Sequence, residues 1–588
     1  MTTDPFTCDI SRHIWDAKYR YRDAGRVKDA TVQDTWRRVA RALAGVETSG
    51  RAQWEQRFYT ALEDFRFLPG GRILAGAGTG HRVTLFNCFV MGRVEDSMDG
   101  IFDALKEGAL TMQQGGGVGY DFSTLRPAGT PAMGVGVTAS GPVSFMHIWD
   151  AMCATILSTG ARRGAMMATL RCDHPDIFEF VRAKRDPAKL RHFNLSVLAS
   201  DAFMQAVKND GDWPLVFPAA GEPGSRVHRV VRARELWDEI MAATYDYAEP
   251  GVLFIDRINA LNNLWYAERL VATNPCGEIP LPPYGACNLG SLNLTRFVRA
   301  PFEAQAALDF AALEETTALA VRMLDNVCDL SRFPLEKQAQ AAHATRRTGL
   351  GLTGLGDALI MLGLRYDSSE ARQTAAAIMQ RICETAYRTS IELAREKGGF
   401  PLLNREKHVQ GAFIRNLAED IRSSIAQHGI RNSHLTAIAP TGTISLLANN
   451  VSSGLEPVFQ YEYKRRIHEM DGQLHEYEVS DHAYALYRSL RGAETPLTQA
   501  FVTAGEIPPY RHLDMQAALQ PWVDNAISKT INIPADYAFE EFQSVYQYAH
   551  EQGLKGCTTY RPNPITGQVL VGEPEAASHC CSVEREAD

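Results

Sequence analysis

The spacing of apolar residues changes character near residue 67. Before it, from residue 8 to 66, apolar positions recur three and four residues apart. Trp36, Val39, Ala40 and Leu43 thus fall on one face, which predicts a small set of amphipathic helices. After it, short apolar runs alternate with longer helical stretches. Residues 231–247, 305–330 and 369–397 read as helices, and residues 193–198, 435–439 and 527–533 as short buried strands. Such alternation predicts α/β architecture. By length alone the 588 residues allow about four domains. No Gly/Ser linker, charge block, low-complexity tract or repeat divides them, so one large unit behind a small helical N-terminal region is expected.

Charge narrows the partners. Lys and Arg total 60 and Asp and Glu 69, a net charge of −9, which argues against nucleic acid or an anionic membrane as the main partner. There is no run of 18 apolar residues and no apolar leader segment at the N-terminus, so the expected location is cytoplasmic. Eleven cysteines are scattered through the chain, an odd number without any C-x-x-C pair. Neither a structural disulfide framework nor a metal held directly by protein thiolates is expected from that spacing. Cys153, Cys172, Cys328 and Cys383 lie in apolar or helical surroundings and read as core.

The stretch from Asn274 to Leu294 carries the most chemistry. Cys276 is flanked by Asn274 and Glu278 at two residues on either side, and Cys287 follows eleven residues later. Pro275, Pro280, Pro282 and Pro283 with two glycines exclude a regular helix or a central strand. A rigid loop aiming an amide, a thiol and a carboxylate at one point is one reading. With an ordinary pKa near ~4.3, Glu278 would be ionised at neutral pH and able to take a proton from a nearby hydroxyl. A loop holding an incidentally buried cysteine is the other reading, and the pentapeptide alone leaves the two equally open.

Asn274-Pro-Cys-Gly-Glu278 with Ala286-Cys-Asn-Leu-Gly-Ser291 resembles the finger loop of ribonucleotide reductases, particularly the adenosylcobalamin-dependent class II. Other matches follow in the family's order. They are Phe86-Asn-Cys-Phe-Val90, Gly115-Gly-Gly-Val-Gly-Tyr-Asp-Phe122 with Leu125-Arg-Pro127, Ala161-Arg-Arg-Gly-Ala165, His174-Pro-Asp-Ile177, Phe193-Asn-Leu-Ser-Val197, Ala439-Pro-Thr-Gly-Thr-Ile-Ser445 with Ser452-Ser-Gly-Leu-Glu-Pro457, and Lys555-Gly-Cys-Thr-Thr-Tyr-Arg561. A single short motif is weak evidence; this series keeps the family's order, and the resemblance covers roughly residues 10 to 561.

The resemblance implies a ten-stranded α/β barrel of two antiparallel five-stranded halves with the finger loop through its centre. It suggests a helical region over 1–66 without an ATP cone, a barrel over 67–570 and a flexible tail over 571–588. It implies that Cys276 is the thiyl radical site, Glu278 the base on the ribose 3′-hydroxyl and Asn274 the group orienting the sugar hydroxyls. Cys88 and Cys287 would supply two electrons and end as a disulfide. Substrate contacts would come from Asn87, Gly117, Asn274, Pro275, Cys276, Gly277 and Glu278, with Pro440, Thr441, Gly442, Thr443 and Ile444 forming the phosphate nest. Asp96 and Arg126 resemble positions that contact a deoxynucleotide or ATP effector, and residues 182–192 resemble the loop linking effector to substrate base.

No Tyr-Tyr pair and no C-terminal glycyl-radical motif occur, and Gly556-Cys-Thr-Thr-Tyr560 is in the class II style. Adenosylcobalamin is therefore the expected cofactor, without a histidine ligand to cobalt, because no Asp-x-His-x-x-Gly motif occurs. The tail cysteines Cys580 and Cys581, adjacent where relatives have a spaced pair, are the candidates for relaying electrons from a thioredoxin-type reductant. The expected activity is that of a ribonucleoside-diphosphate reductase. The sequence leaves di- versus triphosphate substrates and a monomer versus a homodimer open. The alternatives are a class I-like large subunit served by a metal-containing partner, and a non-catalytic nucleotide-binding regulator.

Overall fold

The computed structural model describes residues 4–131, 138–158, 162–186, 188–468 and 474–563. Its framework is mixed α/β: one large sheet of ten strands, many helices around it, and a helical N-terminal region. The strands are β1 Phe67–Pro69, β2 Cys88–Val90, β3 Gly117–Asp121, β4 Met166–Arg171, β5 Phe193–Ala199, β6 Gly251–Phe254, β7 Ala286–Asn293, β8 Thr348–Thr353, β9 Thr530–Asn532 and β10 Gly556–Tyr560.

Strands β2 to β6 run parallel, each beside the next. Strand β7 is parallel to β8, and β9 to β10. The two sets meet antiparallel at two seams, β2 against β7 and β6 against β10. Strand β1 adds antiparallel to the far end of β7.

Residues 435–439, expected as a strand, form only isolated bridges. Thr436 pairs in parallel with Leu350 of β8, and Ile438 with Ile527, three residues before β9. A ladder does not extend here because the buried Asp524 carboxylate takes the N–H groups of Leu435 and Thr436, at 2.8 and 2.9 Å. The segment nevertheless sits between the two edge strands of the sheet.

Two glycines make room for backbone that passes close against the sheet. A Cβ on Gly119 of β3 would lie 1.8 Å from the Thr273 carbonyl oxygen, and one on Gly351 of β8 would lie 2.1 Å from that of Ala437. Backbone passes against backbone at both points, which only glycine permits.

The N-terminal helices α1 Val32–Ala44 and α2 Arg51–Leu62 pack on α3 Phe310–Leu330. Thr31 and Asp34 close a capping box at the start of α1, whose buried face includes Trp36, Val39, Ala40 and Leu43 as the periodicity predicts. Burial pushes the Glu47 carboxyl up. Hydrogen bonds from Arg322 and Asn326 and the charge of Lys397 outweigh this and hold its pKa at about 2. The region is not purely helical, because Arg22–Asp23 and Arg26–Val27 form a hairpin. Its turn residues Ala24 and Gly25 both have positive φ, 46° and 78°, as tight hairpins require. Among the described residues no helix is long and apolar enough to cross a membrane.

Candidate active site

The proline-rich stretch folds as a hairpin, with Ala272–Thr273 paired antiparallel to Pro280–Leu281. Its loop is held by its own first residue. Asn274 donates its N–H to the Ile279 carbonyl at 3.2 Å, its carbonyl accepts from Gly277 N–H at 3.1 Å, and its Oδ1 accepts from Ile279 N–H at 3.0 Å. Gly277 at the turn has φ +85°, a backbone conformation favourable to glycine.

Both sets of strands grip this hairpin. From β5, Asn194 Nδ2 donates to the Pro275 carbonyl at 2.8 Å, and the Pro275 ring lies against Gly117 of β3, 3.2 Å from where a Cβ would stand. From the segment leading into β9, Ala526 N–H donates to the Glu278 carbonyl at 2.9 Å. A separate apolar cluster of Cys88, Val90, Ala272, Ile279, Leu281, Cys287, Leu289, Ala437 and Ala439 surrounds it.

Within that cluster the predicted groups converge. Cys88 and Cys287 stand directly opposite each other across the β2/β7 seam. Asn274 Nδ2 donates to Cys88 Sγ at 3.2 Å, and Cys88 Sγ lies 3.9 Å from Glu278 Oε1. Asn274, Glu278, Cys88 and Cys287 are all fully buried, whereas Cys276 at the hairpin tip is partly exposed. Burial raises both thiols well above their ordinary range, and the neighbouring Glu278 adds to the rise at Cys88.

Glu278 corrects the expectation of an ordinary carboxylate. Burial lifts its pKa to about 7, although hydrogen bonds from Asn274 and Cys88 oppose the rise. Sequence spacing could not show this, because desolvation depends on what packs around the side chain. Its Oε2 has no hydrogen-bond partner, and neither has Oδ1 or Nδ2 of Asn87, which is 3 % exposed. Buried polar atoms left unpaired cost about 1–3 kcal/mol each, and such orphans beside two thiols mark a place for a polar ligand.

The Pro440–Ile444 motif opens a short helix, Gly442–Leu447, with Thr441 at φ 53°. The Thr441 hydroxyl is occupied within the fold, by Gly454 N–H at 2.7 Å, Thr353 Oγ1 at 2.9 Å and Ser445 Oγ at 3.0 Å. No side chain caps the first N–H groups of this turn. Lys18 of the N-terminal region brings its Nζ to 3.4 Å from Thr443 Oγ1. Sequence reasoning missed Lys18, which lies 425 residues away and outside every quoted motif. Asn194 was legible only as part of Phe193–Val197.

Asp96 and Arg126 meet one another. Arg126 Nε donates to Asp96 Oδ2 at 2.7 Å, and its backbone N–H to Oδ1 at 3.2 Å. Along the 182–192 stretch His192 is anchored to Asp150, through its N–H at 2.8 Å and Nδ1 at 3.1 Å. Residues 161 and 187 and the tail cysteines Cys580 and Cys581 lie outside the described residues.

Two positions along β5 from Asn194, and on the same face, Ser196 stands beside Gly251. A Cβ on Gly251 would meet the Ser196 hydroxyl at 3.3 Å and that of Thr558 at 3.1 Å. Ser196, Gly251 and Thr558 thus form a low, hydroxyl-edged surface. Among the described residues no group of three or more His, Cys, Asp or Glu is placed to hold a metal ion.

Comparison with known proteins agrees with this geometry. Residues 86–560 match the family described as ribonucleotide reductase, barrel domain, and residues 7–82 its all-alpha domain. The chain belongs to the ribonucleotide reductase family. It is 40% identical over 552 residues to a Mycobacterium tuberculosis (strain CDC 1551 / Oshkosh) protein named vitamin B12-dependent ribonucleoside-diphosphate reductase, covering 90% of this chain and 75% of that one. A Thermoplasma acidophilum protein of the same name is 37% identical over 548 residues, covering 89% and 67%. The Chlamydia muridarum ribonucleoside-diphosphate reductase subunit alpha is more distant, 26% identical over 633 residues, covering 93% and 58%.

Proposed function

We propose that this chain reduces ribonucleotides to 2′-deoxyribonucleotides for DNA synthesis by thiyl-radical chemistry, with adenosylcobalamin as cofactor. The carrying observation is the meeting of Asn274, Glu278, Cys88 and Cys287 at one buried point behind a partly exposed Cys276. A nucleotide-binding regulator has no use for that set.

The fold reading is a closed ten-stranded barrel over the 67–570 stretch, between the helical 1–66 region and the 571–588 tail. Two sets of parallel strands joined by antiparallel seams support it. So do the Leu350–Thr436 and Ile438–Ile527 bridges, which tie the edge strands β8 and β9 through residues 436–438.

Adenosylcobalamin, when bound, supplies the initiating organic radical, and Ser196, Gly251 and Thr558 are the residues that would hold it. Everything else is the work of the chain's own residues. Cys276 Sγ, as a thiyl, lifts the ribose 3′-hydrogen. The exchange is nearly balanced, since S–H and secondary C–H bonds have similar strengths. Glu278 accepts the 3′-hydroxyl proton and Asn274 orients the sugar hydroxyls. With the 3′-carbon a radical, the 2′-hydroxyl takes up a proton and leaves as water, Cys88 and Cys287 supply two electrons and two protons and end as a disulfide, and Cys276 returns its hydrogen to the 3′-carbon. Asn87 and the backbone around Gly117, Pro275 and Gly277 line the sugar. The N–H groups of Gly442, Thr443 and Ile444 after Pro440 and Thr441 hold the phosphates, joined by Lys18.

The effector reading rests on Asp96 and Arg126, whose mutual pairing would open to admit a deoxynucleotide or ATP. Next to Asp96, the helix Met98–Gln113 exposes Met98, Phe102 and Leu110 at four-residue multiples, which supports a homodimer there. Because Cys88 and Cys287 are sealed from solvent, re-reduction by a thioredoxin-type protein goes through the tail cysteines Cys580 and Cys581. Assay of the isolated chain with ribonucleotide and a dithiol tests the whole reading. Deoxynucleotide should form with adenosylcobalamin and not without it. Activity that appears only with a separate metal-containing subunit would favour the class I-like alternative.

A further inference from the structure

Two charges of opposite sign flank the redox thiols. Glu278 stands on the Cys88 side, with Oε1 3.9 Å from Sγ. Arg347 stands on the other. In the parallel ladder of β7 and β8, Asn288 pairs with Thr348, so one step earlier Cys287 and Arg347 are neighbours across it. Asn288 turns outward, its Nδ2 donating to the Leu324 carbonyl at 3.2 Å, which points Cys287 inward by strand alternation. Arg347 points inward too, because its Nη1 donates to the Pro280 carbonyl of the finger hairpin at 3.2 Å. Its Nη2 pairs with Glu268, its Nε has no partner, and the residue is 1 % exposed. Burial raises both thiols. At Cys287 the Arg347 charge opposes that rise ahead of smaller upward pushes from Cys328, Asp524 and Glu278, whereas at Cys88 Glu278 is the largest neighbouring charge and adds to it, with the Asn274 hydrogen bond opposing.

A buried guanidinium with an idle donor is costly to keep, and nothing in its pairing with Glu268 needs that donor. Its strand neighbour Cys287, whose thiol it acts on through its charge, is the sulfur that must carry negative charge when the disulfide is broken. We propose that Arg347 polarises the Cys88–Cys287 couple, so that an incoming thiolate attacks Cys88 Sγ and Cys287 leaves as the thiolate. This rests on the reading of the pair as the substrate's electron source. The S–S bond breaks as a bond forms between the incoming sulfur and Cys88, and the electron pair departs on Cys287. The second thiol of the dithiol then attacks the mixed disulfide at its own partner sulfur. Cys88 is released as a thiol, and the dithiol is oxidised by the two electrons the couple gains. Exchange runs faster when the departing thiol is the more acidic, and Arg347 is a positioning residue in that sense.

The test maps the mixed disulfide. Protein carrying the Cys88–Cys287 disulfide, made by one turnover with ribonucleotide and separately by diamide, is mixed with 2-mercaptoethanol. Free thiols are quenched with iodoacetamide, and the peptides are read by mass spectrometry. The mercaptoethanol adduct should lie on Cys88 and the alkyl group on Cys287, with a preference of about tenfold. An adduct chiefly on Cys287, or equally on both, overturns the proposal. The double variant Arg347→Met/Glu268→Gln should bring the two adducts toward parity and slow disulfide reduction by dithiothreitol about tenfold. Glu268→Gln alone, which leaves the guanidinium unneutralised, should sharpen the Cys88 preference. An unchanged partition in either variant shows that Arg347 is not its source. A turnover that leaves both cysteines as thiols refutes their role as electron source instead, and the diamide-made disulfide still reports the polarity.

Discussion

Asn274 and Cys88 lie 186 residues apart in the sequence, yet the amide of one donates to the sulfur of the other at 3.2 Å. Sulfur is a weak acceptor, so this donor is cheaply diverted to a substrate hydroxyl. The same contact joins the hairpin amide to Cys88, so the proposed substrate-orienting group and the proposed electron source touch directly.

Cys276 is the only thiol of the three that is not sealed in. Cys276→Ser is nearly isosteric, but an alcohol O–H is too strong to yield its hydrogen. Product formation should vanish even in a single turnover, measured by quenched-flow analysis of the deoxynucleotide. A rate near that of the wild type would remove Cys276 from the mechanism.

Glu278 has its pKa lifted to about 7 by burial, so its basic form dominates only above that pH. The acid limb of the kcat/KM profile should therefore bend near 7, not near 4.5. Glu278→Gln should lower kcat by about 10²–10⁴-fold.

The same shift has a stability consequence of opposite direction. The folded state holds the Glu278 proton more tightly than the unfolded one, so stability falls as pH rises from 4.5 through 7. At pH 8 the ionised carboxylate costs on the order of 3 kcal/mol. Glu278→Gln should then be more stable than wild type at pH 8 in urea unfolding, and the gap should shrink below about 1 kcal/mol at pH 5. A gap that stays constant with pH would show that Glu278 is solvated as an ordinary carboxylate.

Lys18 lies beside Thr443, in the turn proposed to hold the substrate's phosphates. Removing it as Lys18→Ala should raise KM for the substrate about tenfold while kcat stays near wild type, as one charge-assisted hydrogen bond of about 1.5 kcal/mol is lost. Equal KM values would confine Lys18 to holding the N-terminal helix in place.

Gly119 has no room for a methyl group, its Cβ position lying 1.8 Å from the Thr273 carbonyl. Gly119→Ala must displace the finger hairpin, costing at least about 2 kcal/mol and most of the activity. Thermal unfolding and the single-turnover assay read both effects.

Cys580→Ser together with Cys581→Ser should spare turnover with a small dithiol and abolish turnover with thioredoxin. The reason is that Cys88 and Cys287 are fully buried and exchange needs access to sulfur. Undiminished thioredoxin-driven turnover would assign the relay elsewhere.

Much of this protein was legible in the order of its residues. Periodicity predicted the face of α1 that carries Trp36 and Leu43, the long helices Phe310–Leu330 and Ser369–Lys397, and the α/β class. The prolines around Cys276 excluded a helix or a central strand there, and the motifs named the cysteines, the amide and the carboxylate that the fold brings together. These are local properties, set by side-chain spacing and backbone sterics. Tertiary structure alone decided the rest. Whether residues 435–439 form a ladder depended on Asp524, nearly ninety residues on, taking two of their N–H groups. The pKa of Glu278 depended on the water excluded by the packed hairpin. Lys18 and Arg347 acquired their neighbours only when distant strands and helices closed around one point, because charge acts through space and the sequence orders residues only along the chain.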